Sequence, residues 1–552
     1  MAKKMKKAIP RFLVATILMV GLTVGLNVLV KNVNAGLTPT TGVTVGNVVP
    51  DDLTDTTDGS TVDSPTSAGN DVTFTATAHD DNGDTWKLLI CKTAGTTATD
   101  CDGGAGDRWC VSASAVASDS PNTCAYTTSD SDAYSNNWYA YACDAIGCSV
   151  TADTVASPFI VNHAPEFTGI TEPSADPGAN NITITSTAND DARDTSGEVK
   201  LFVCKAADFA AGACGGGGQW TTPSAYAASN PAVTFTSPDA DGVYDYYPYI
   251  IDTWGMQSDN ATYQGQIRHF TVNNKAPVVS SVSLNSGNPI TITANSSSNI
   301  SATATISDAN GCTVKGGGDE IVSANAVFFQ DDLTTEACSA DENKCYIIAS
   351  CNLGSCTAGS LTATCTATMW YNANPTDNGA YATQQTWTTD KWTAWIKGFD
   401  DDGANDTETN SAQTIEVTTT AGLDITEASI DYPNLNPGES TTTANNDSVT
   451  TNSVGNCPID TNIHGSTVLT KGADTIPNSN QRYGLTNANW ASLSDELKDT
   501  ATLFELSQTT KTTDHTSPVQ ETIYFGLHIP ETQASGTYAG VNTFAAVEET
   551  TF

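Results

Sequence analysis

Two cysteines flank an aspartate in residues 137–150, which read NWYAYACDAIGCSV. The five-residue spacing of Cys143 and Cys148 is compatible with a zinc knuckle, in which thiolates and imidazoles bind the metal. A redox pair would need Cys-x-x-Cys, a spacing that the sequence does not contain. The third interpretation is a disulfide, because a turn can bring its flanking residues to the Cα separation of roughly 5.5–6 Å that the bond prefers.

Self-comparison of the sequence reveals three repeats that bear on this choice. Residues 71–101 match residues 181–214, and the aromatic segment NWYAYACDAIGC matches DYYPYIIDTWGM at 245–256. A third, more divergent copy contains ISATATISDANGC at 300–312 and WIKGFDDDGAND at 395–406. The cysteines can therefore be compared from copy to copy.

The second repeat distinguishes the three interpretations. It has Ile251 and Met256 at the positions of Cys143 and Cys148. An apolar pair can take the place of a structural disulfide, whereas it cannot bind zinc or exchange electrons. Together with the secretory signal at the start of the chain, this comparison predicts a disulfide across the turn.

The remaining cysteines are assigned in the same way. Repeat two contains only Cys204 and Cys214, so within that unit these two pair with each other or with nothing, and repeat one has cysteines at the matching positions. Other cysteines are expected to pair with close neighbours because small loops close most easily, and a nested ladder is expected in repeat three, where six cysteines leave the connectivity open. The predicted bonds are Cys91–Cys101, Cys110–Cys124, Cys143–Cys148, Cys204–Cys214, Cys312–Cys338, Cys345–Cys365 and Cys351–Cys356.

The elements that position these residues are predicted to be strands. Threonine, serine, asparagine, aspartate, glycine and alanine dominate, and short Val/Ile/Thr/Tyr runs alternate with turn residues, which is typical of an all-β chain. One helix is expected, over residues 487–499. The aromatics of these strands could stack on sugars, but strand aromatics more often pack across sheets.

The repeat units end in the similar junctions FIVNHAP at 159–165 and FTVNNKAP at 270–277. With these Ala-Pro linkers, the Thr-x-Thr-Ala-x-Asp strand ends and the Tyr-x-Tyr-x-x-Asp-x-x-Gly turns, residues 40–417 resemble bacterial immunoglobulin-like and fibronectin-type-III-like surface repeats. The resemblance implies tandem β-sandwich domains. The predicted segments are a signal peptide (1–35), repeat one (36–164), repeat two (165–276), repeat three with a cysteine-rich insertion (277–420) and a C-terminal module (421–552).

Aspartates recur at two places in every repeat, one at the end of the early strand and one at the start of the late Asp-x-x-Gly turn. In an immunoglobulin-like sandwich both places lie at the same tip, where hard oxygen ligands suit Ca²⁺. The alternative is that each aspartate only bonds the backbone of its own turn. The candidate calcium ligands are Asp80, Asp81, Asp84, Asp144, Asp190, Asp191, Asp194, Asp252, Asp308, Asp400, Asp401, Asp402 and Asp406.

The C-terminal module differs from the repeats in its sequence motifs. Its Leu-Asn-Pro-Gly turn at 435–438, its Val-Gly-Asn hairpin at 454–456 and its Gly-Thr-Tyr ending at 536–538 resemble the terminal β-sandwich module on envelope proteins of uncultivated small-celled bacteria and some archaea. The resemblance implies an envelope context and a structural role. Cys457 is left unpaired by count and is either a buried thiol or an intermolecular link.

The start of the chain has the three parts of a secretory signal peptide. A basic segment precedes the apolar residues 12–30, and small residues around Ala35 provide a cleavage site. An uncleaved membrane anchor is the alternative, because such an apolar run can span a bilayer. Membrane contact is expected only through this segment, if it is retained.

The exported part is strongly acidic. Beyond residue 35 the chain has 16 basic and 62 acidic residues, a formal net charge of −46. Such a surface repels nucleic acid and attracts cations, so no nucleic-acid partner is expected.

Motifs of common catalytic sites are missing, among them His-Glu-x-x-His, Gly-x-Ser-x-Gly and the phosphate loop, so we predict that the protein is not an enzyme. The expected function is an exported cell-surface structural protein that self-assembles into a surface layer, filament or stalk. The alternative is an adhesin or carbohydrate-binding surface protein with an envelope or glycan partner.

Overall fold

The computed structural model describes residues 50–178, 181–195, 197–331, 338–410 and 415–550. It is 45% strand and 3% helical, so the predicted all-β fold is confirmed. The predicted signal peptide, residues 1–35, lies outside the described residues. Within these five ranges, no helix is long and apolar enough to cross a membrane.

Repeat one forms three small sheets with the strand orders β1-β3-β6, β5-β4-β8 and β2-β9-β7. Alternate residues of β3 from Val72 to Ala78 are buried, because successive side chains of a strand point to opposite faces. In the core, Phe74 packs edge-to-face on Trp138 and Phe159, with ring centroids 5.3 and 5.9 Å apart. The strands are β1 (Asp51–Thr57), β2 (Thr66–Ser67), β3 (Asp71–His79), β4 (Lys87–Cys91), β5 (Arg108–Val111), β6 (Pro121–Thr127), β7 (Ser135–Asn136), β8 (Tyr139–Cys143) and β9 (Phe159–Asn162), with a 3-10 turn at Gly104–Asp107.

Repeat two has two sheets, ordered β10-β12-β14 and β11-β16-β15-β13. The pairing of β13 with β15 runs from Val199 opposite Asp252 to Cys204 opposite Tyr247. This register places Asp252 at the end of the aromatic strand, where the late turn begins. The strands are β10 (Glu166–Ile170), β11 (Ser174–Ala175), β12 (Asn181–Asn189), β13 (Val199–Cys204), β14 (Ala232–Thr236), β15 (Gly242–Asp252) and β16 (Arg268–Val272).

Repeat three is a sandwich of two four-stranded sheets, β17-β18-β22-β21 and β20-β19-β23-β24. Strand β18 pairs with β22 over its whole length, from Ser297 opposite Trp370 to Ser307 opposite Ser360. The strands are β17 (Val278–Leu284), β18 (Ser297–Ser307), β19 (Ile321–Gln330), β20 (Cys345–Ile348), β21 (Asn352–Leu353), β22 (Ser360–Trp370), β23 (Trp392–Asp400) and β24 (Asn405–Thr409), with 3-10 turns at Asn285–Gly287 and Ala382–Gln384.

The C-terminal module packs the sheet β25-β26-β32-β29-β30 on the sheet β28-β27-β31, and β33 also pairs with β27. Tyr483, Phe504 and Phe525 are central to its core. The strands are β25 (Leu423–Ile425), β26 (Asp447–Ser453), β27 (Ile459–Lys471), β28 (Asp474–Ile476), β29 (Gln481–Gly484), β30 (Asp495–Glu496), β31 (Thr502–Phe504), β32 (Val519–Leu527) and β33 (Ala539–Glu548), with 3-10 turns at Asn478–Asn480 and Trp490–Ser492.

The helix predicted over residues 487–499 is wrong. That segment contains only the 3-10 turn at Trp490–Ser492 and strand β30, which pairs with β29. Leu493 and Leu497 are four residues apart and both buried, a spacing that also fits a helix face. The backbone of Leu497 instead donates a hydrogen bond to Gln481 O at 2.9 Å, so sheet pairing overrides the local helical preference.

Every sheet of the described residues lies within one of the segments predicted from the sequence. The chain also divides into two compact units. The first unit takes the described residues up to Pro173 together with Ile182–Phe235 and Tyr244–Phe270, and the second takes Ser174–Asn181, Thr236–Val243 and Thr271 onward. Two loops of repeat two therefore belong to the unit of repeat three, and the domain limits stay a prediction.

The described residues contain seven disulfides. The bonds in repeats one and two have the predicted partners: Cys91–Cys101, Cys110–Cys124, Cys143–Cys148 and Cys204–Cys214. The three predicted bonds of repeat three are wrong, because its cysteines pair as Cys312–Cys356, Cys338–Cys345 and Cys351–Cys365.

Strand register explains the correction. Asn352 of β21 lies opposite Thr364 of β22, which places Cys351 beside Cys365. Cys345 begins β20, which belongs to the other sheet of the sandwich, so the expected Cys345–Cys365 bond would join the two sheets. A nested ladder assumes one hairpin over these residues, and the chain instead changes sheets.

Cys457 is a free, buried thiol, as in the first of the two interpretations. Burial raises its pKa above the ordinary range, so the thiol stays protonated and unreactive.

We predict that the Cys143–Cys148 bond contributes less stability than Cys312–Cys356. The two bonds have sequence separations of 5 and 44 residues, for which the loop-entropy relation gives about 2 and about 4 kcal/mol. The variant C143I/C148M, which copies repeat two, should lower the melting temperature by less than C312A/C356A, as measured by calorimetry. Equal decreases would contradict the entropic explanation.

Candidate functional site

The late aspartates each cap their own turn. Oδ1 of Asp144 accepts hydrogen bonds from the backbone N–H groups of Ile146 and Gly147 at 2.8 and 2.9 Å. Oδ1 of Asp252 and Oδ1 of Asp400 accept backbone N–H groups of their turns in the same way, at 2.7–2.9 Å. The turn-forming role therefore accounts for one oxygen of each carboxylate.

In the early aspartates, some carboxylate oxygens have no hydrogen-bond partner among the described residues. Asp80 Oδ1 accepts two backbone N–H groups of its own loop, at 3.1 and 3.0 Å, and Asp308 Oδ1 accepts that of Asn310 at 2.8 Å. The Oδ2 atoms of Asp80, Asp144 and Asp308, and both oxygens of Asp190, are buried without a hydrogen-bond partner among the described residues. An unsatisfied buried group costs roughly 1–3 kcal/mol, and more when charged, so these oxygens are candidate ligands for a cation.

The linker between repeats one and two contacts two aspartates of repeat two, Asp252 and Asp194. Asn162 Nδ2 donates to Asp252 Oδ2 at 2.6 Å, while Asn162 Oδ1 is buried and has no partner in the described part of the chain. The next linker residue, His163, is fully buried, with Nδ1 2.7 Å from Asp194 Oδ1. The His163 backbone N–H donates to Asp194 Oδ2, so Asp194 holds the linker with both oxygens.

Burial and charge repulsion raise the pKa values of carboxyl groups at this first junction. Burial, followed by the negative charge of Asp252, raises the pKa of Asp190 to about 7, and Asp194 and Asp191 add to the shift. Burial also raises the pKa of Asp252. At neutral pH the Asp190 carboxyl is therefore divided between its protonated and ionised forms, and a bound cation would favour the ionised form.

Asp191 is held by an arginine. Arg193 donates from Nε and Nη2 to the two oxygens of Asp191 at 2.9 and 2.8 Å, and these hydrogen bonds lower the pKa of Asp191 to about 2. Arg193 also lies 3.2 Å from Asp130 Oδ1 in repeat one. The predicted ligand Asp191 thus belongs to an ion-pair bridge between two repeats.

The junction between repeats two and three has the same linker contact. Asn274, like Asn162, stands three residues before the linker proline, and its Nδ2 donates to Asp400 Oδ2 at 3.1 Å. Asn274 Oδ1 is buried and unpartnered within the described ranges. Asn310 fixes the same linker, because its Oδ1 accepts the Lys275 backbone N–H at 2.7 Å.

A glutamate joins the carboxylates at this second junction. Glu320 precedes β19 and is fully buried, and neither of its carboxylate oxygens has a hydrogen-bond partner among residues that the structure describes. Oxygens of Glu320, Asp241 and Asp401 lie within 4.8 Å of one another. Burial, followed by the charges of Asp241, Asp308, Asp401 and Asp400, raises the pKa of Glu320 to about 8.

The donor atoms at the second junction are those that calcium prefers. Glu320 offers two unpartnered oxygens, Asp308 and Asn274 offer one each, and Asp241 and Asp401 each offer another. Ca²⁺ takes six to eight oxygen ligands in flexible geometry, whereas zinc sites are built mainly on nitrogen and sulfur. The residues present therefore fit a hard cation.

Five predicted ligands belong to neither junction: Asp80 and Asp144, whose buried oxygens lie in repeat one, and Asp81, Asp84 and Asp406. Asp81 is exposed, 3.3 Å from His79, and Asp84 accepts a hydrogen bond within its own loop at 2.7 Å. Asp406 Oδ2 accepts a backbone N–H of β17 at 2.9 Å. The contacts of Asp81, Asp84 and Asp406 serve loop structure and strand pairing. Asp402 is exposed but lies near Asp241 of the second junction: burial, followed by the charge of Asp402, raises the pKa of Asp241.

The residues that complete the two junctions are not among the ligands predicted from the sequence. Asn162 and Asn274 lie in the linkers that the repeats share, and their equal distance from the linker proline was an available signal. No sequence signal pointed to Glu320 or Asp241, because they are distant in sequence from each other and from the repeated aspartates.

The aromatic segments contribute to the cores. Trp138, Tyr246 and Trp392 are fully buried, so these three are inaccessible to a sugar, as the packing interpretation requires.

No protein-family model and no curated protein matches the chain. Among solved structures, the fibronectin(III)-like modules of Clostridium thermocellum CbhA match 38% of this chain and 87% of their own at 14% identity, with a TM-score of 0.19. A bacterial ice-binding adhesin matches 67% of this chain and 100% of its own at 12% identity and a TM-score of 0.23. The Yersinia pseudotuberculosis adhesin InvE matches 57% and 74% at 10% identity and a TM-score of 0.23. Similarity at this level carries no functional argument, and the sandwich fold rests on the strand orders of the sheets.

Proposed function

We propose that the protein is a non-enzymatic, exported structural component of the cell surface that assembles with copies of itself into a layer, filament or stalk. The observation that carries this proposal is that unsatisfied buried oxygens recur where consecutive repeats meet. A ligand bound to oxygens at such a junction would hold two consecutive repeats together. The seven disulfides are typical of an oxidising, extracellular compartment.

Calcium at the two junctions is part of the proposal. Asp190, Asp252 and Asn162 are the ligands at the first junction, and Glu320 and Asp308 lead the set at the second. A divalent cation there would satisfy oxygens that otherwise require protons, and would remove the repulsion between tip carboxylates. The strongly acidic surface raises the local concentration of such cations.

We predict that the calcium-free protein loses stability as pH rises. Asp190 and Glu320 bind protons up to about pH 7 and about pH 8 in the folded state, but release them near pH 4 in the unfolded chain. The folded state thus holds more protons in this window, so the free energy of unfolding decreases from about pH 4 to about pH 8. Calcium at 100 times its Kd should add about 2.7 kcal/mol, with a larger melting-temperature gain at pH 8 than at pH 5. A gain that is absent at both pH values would exclude the calcium sites.

The variant E320Q should have opposite effects in the two conditions. In chelator at pH 8 it should melt higher than the wild type, because it removes an uncompensated buried charge. In calcium its gain should be smaller than that of the wild type, because two carboxylate ligand oxygens are replaced by one amide oxygen. The matched control is E408Q, an exposed carboxylate on β24, which should behave as the wild type in both conditions. The same response in both variants would show that Glu320 is not a ligand.

Electron microscopy of purified envelopes tests the assembly proposal. A structural subunit should be among the abundant envelope proteins, and purified protein with calcium should form ordered sheets or fibres. A sparse, monomeric protein that binds glycans or host surfaces would support the adhesin alternative instead.

A further inference from the structure

A buried lysine connects repeat three to the C-terminal module. Lys511, in the segment between β31 and β32, has 5% of its surface exposed. Its Nζ donates to Asn343 Oδ1 at 2.5 Å, Asn372 O at 2.7 Å and Thr512 O at 3.3 Å. These acceptors are uncharged, and the ion pairs of the described residues do not include Lys511.

The side-chain amide of Asn343 is fixed from both domains. Its Nδ2 donates to Asp341 Oδ1 at 2.8 Å and to Thr513 O at 2.9 Å. Asp341 Oδ1 also accepts the Asn343 backbone N–H at 2.8 Å. The Cys338–Cys345 disulfide encloses this short segment, so the amide is held in one orientation against the lysine.

The surroundings of Lys511 favour a nucleophilic amine. Burial lowers the pKa of its ammonium group to about 7, against a partial increase from the charge of Asp341. Near neutral pH a large fraction of the side chain therefore has a free lone pair. The amine nitrogen contacts the amide oxygen of Asn343, and the amide carbon is one bond, about 1.2 Å, beyond that oxygen.

We propose that Lys511 and Asn343 condense to an intramolecular isopeptide bond that joins repeat three covalently to the C-terminal module. The uncharged Nζ attacks Cγ of Asn343, the new Nζ–Cγ bond forms, and the Cγ–Nδ2 bond breaks. One Nζ proton passes to Nδ2, which leaves as ammonia. No oxidant or other co-reactant is consumed.

Asp341 is placed to relay that proton. Its Oδ1 already contacts the leaving nitrogen, and its charge acts on Lys511. A carboxylate in this position takes the proton from the attacking amine and returns it to the departing nitrogen, as a general acid–base catalyst does. Proximity supplies much of the remaining rate enhancement, because both reactants are held in place by the fold.

A second contact keeps the two segments together. The His515 ring stacks on Trp370 with centroids 3.7 Å apart, and His515 Nδ1 lies 2.7 Å from Glu342 Oε1. These groups hold the lysine-bearing segment against the asparagine-bearing segment on either side of the reacting pair. The cross-link would persist in reducing conditions that open every disulfide.

Mass spectrometry of the full-length exported protein tests the proposal. After reduction of the disulfides, the wild type should be lighter than its sequence mass by one ammonia molecule, and K511M should show no such loss. Digestion should yield a branched peptide that links the segments around Asn343 and Lys511. A wild-type mass without the loss, or an ammonia loss without the branched peptide, would overturn the proposal, since a cyclic imide at Asn343 also releases ammonia.

Two variants keep the test informative about mechanism. D341A retains both reacting groups and should contain little of the cross-link, with a circular dichroism spectrum like that of the wild type. K344R changes the lysine next to Asn343 and should cross-link fully. Undiminished cross-linking in D341A would show that Asp341 does not relay the proton.

Discussion

A charge that folding removes from water must be paired, hydrogen-bonded or neutralised, and this chain buries charges where its domains meet. Asp194 satisfies the requirement with His163, and Asp191 with Arg193. Asp190 and Glu320 lack such partners among the described residues, and their raised pKa values express the same deficit. A proton or a bound cation at either carboxyl would remove this deficit.

The architecture explains why junctions and cross-links have this importance. Each repeat is a small sandwich of short strands, and a domain of this size buries a limited apolar core. Disulfides such as Cys351–Cys365 add stability without more core, because they constrain the unfolded chain. The high acidity of the chain opposes compactness through self-repulsion, so stabilisation that does not depend on charge is valuable.

Local and repeated patterns made much of this structure predictable. Alternation along β3 and the copies of the late turn predicted the strands and the positions of Asp144, Asp252 and Asp400. The wrong predictions, the disulfides of repeat three and the helix over residues 487–499, concern features set by long-range strand register. The pairing of β21 with β22 places Cys351 beside Cys365. Pairing with β29 keeps the residues near Leu497 from forming a helix. Glu320 meets its partners only in the folded chain, so spacing in the sequence cannot reveal it.

The proposed calcium sites and the proposed isopeptide bond differ in reversibility, because one is an ion-binding equilibrium and the other is a covalent bond. The raised pKa values of Asp190 and Glu320 lie near neutral pH, so a cation bound between repeats would compete with protons and respond to calcium and pH. An amide bond between Lys511 and Asn343 would respond to neither. The C-terminal module would then be fixed permanently to repeat three, while the junctions at Asp190 and Glu320 would stiffen or relax with the calcium concentration and pH around them. An array built from such subunits would keep its connectivity under load and adjust its stiffness at the repeat junctions.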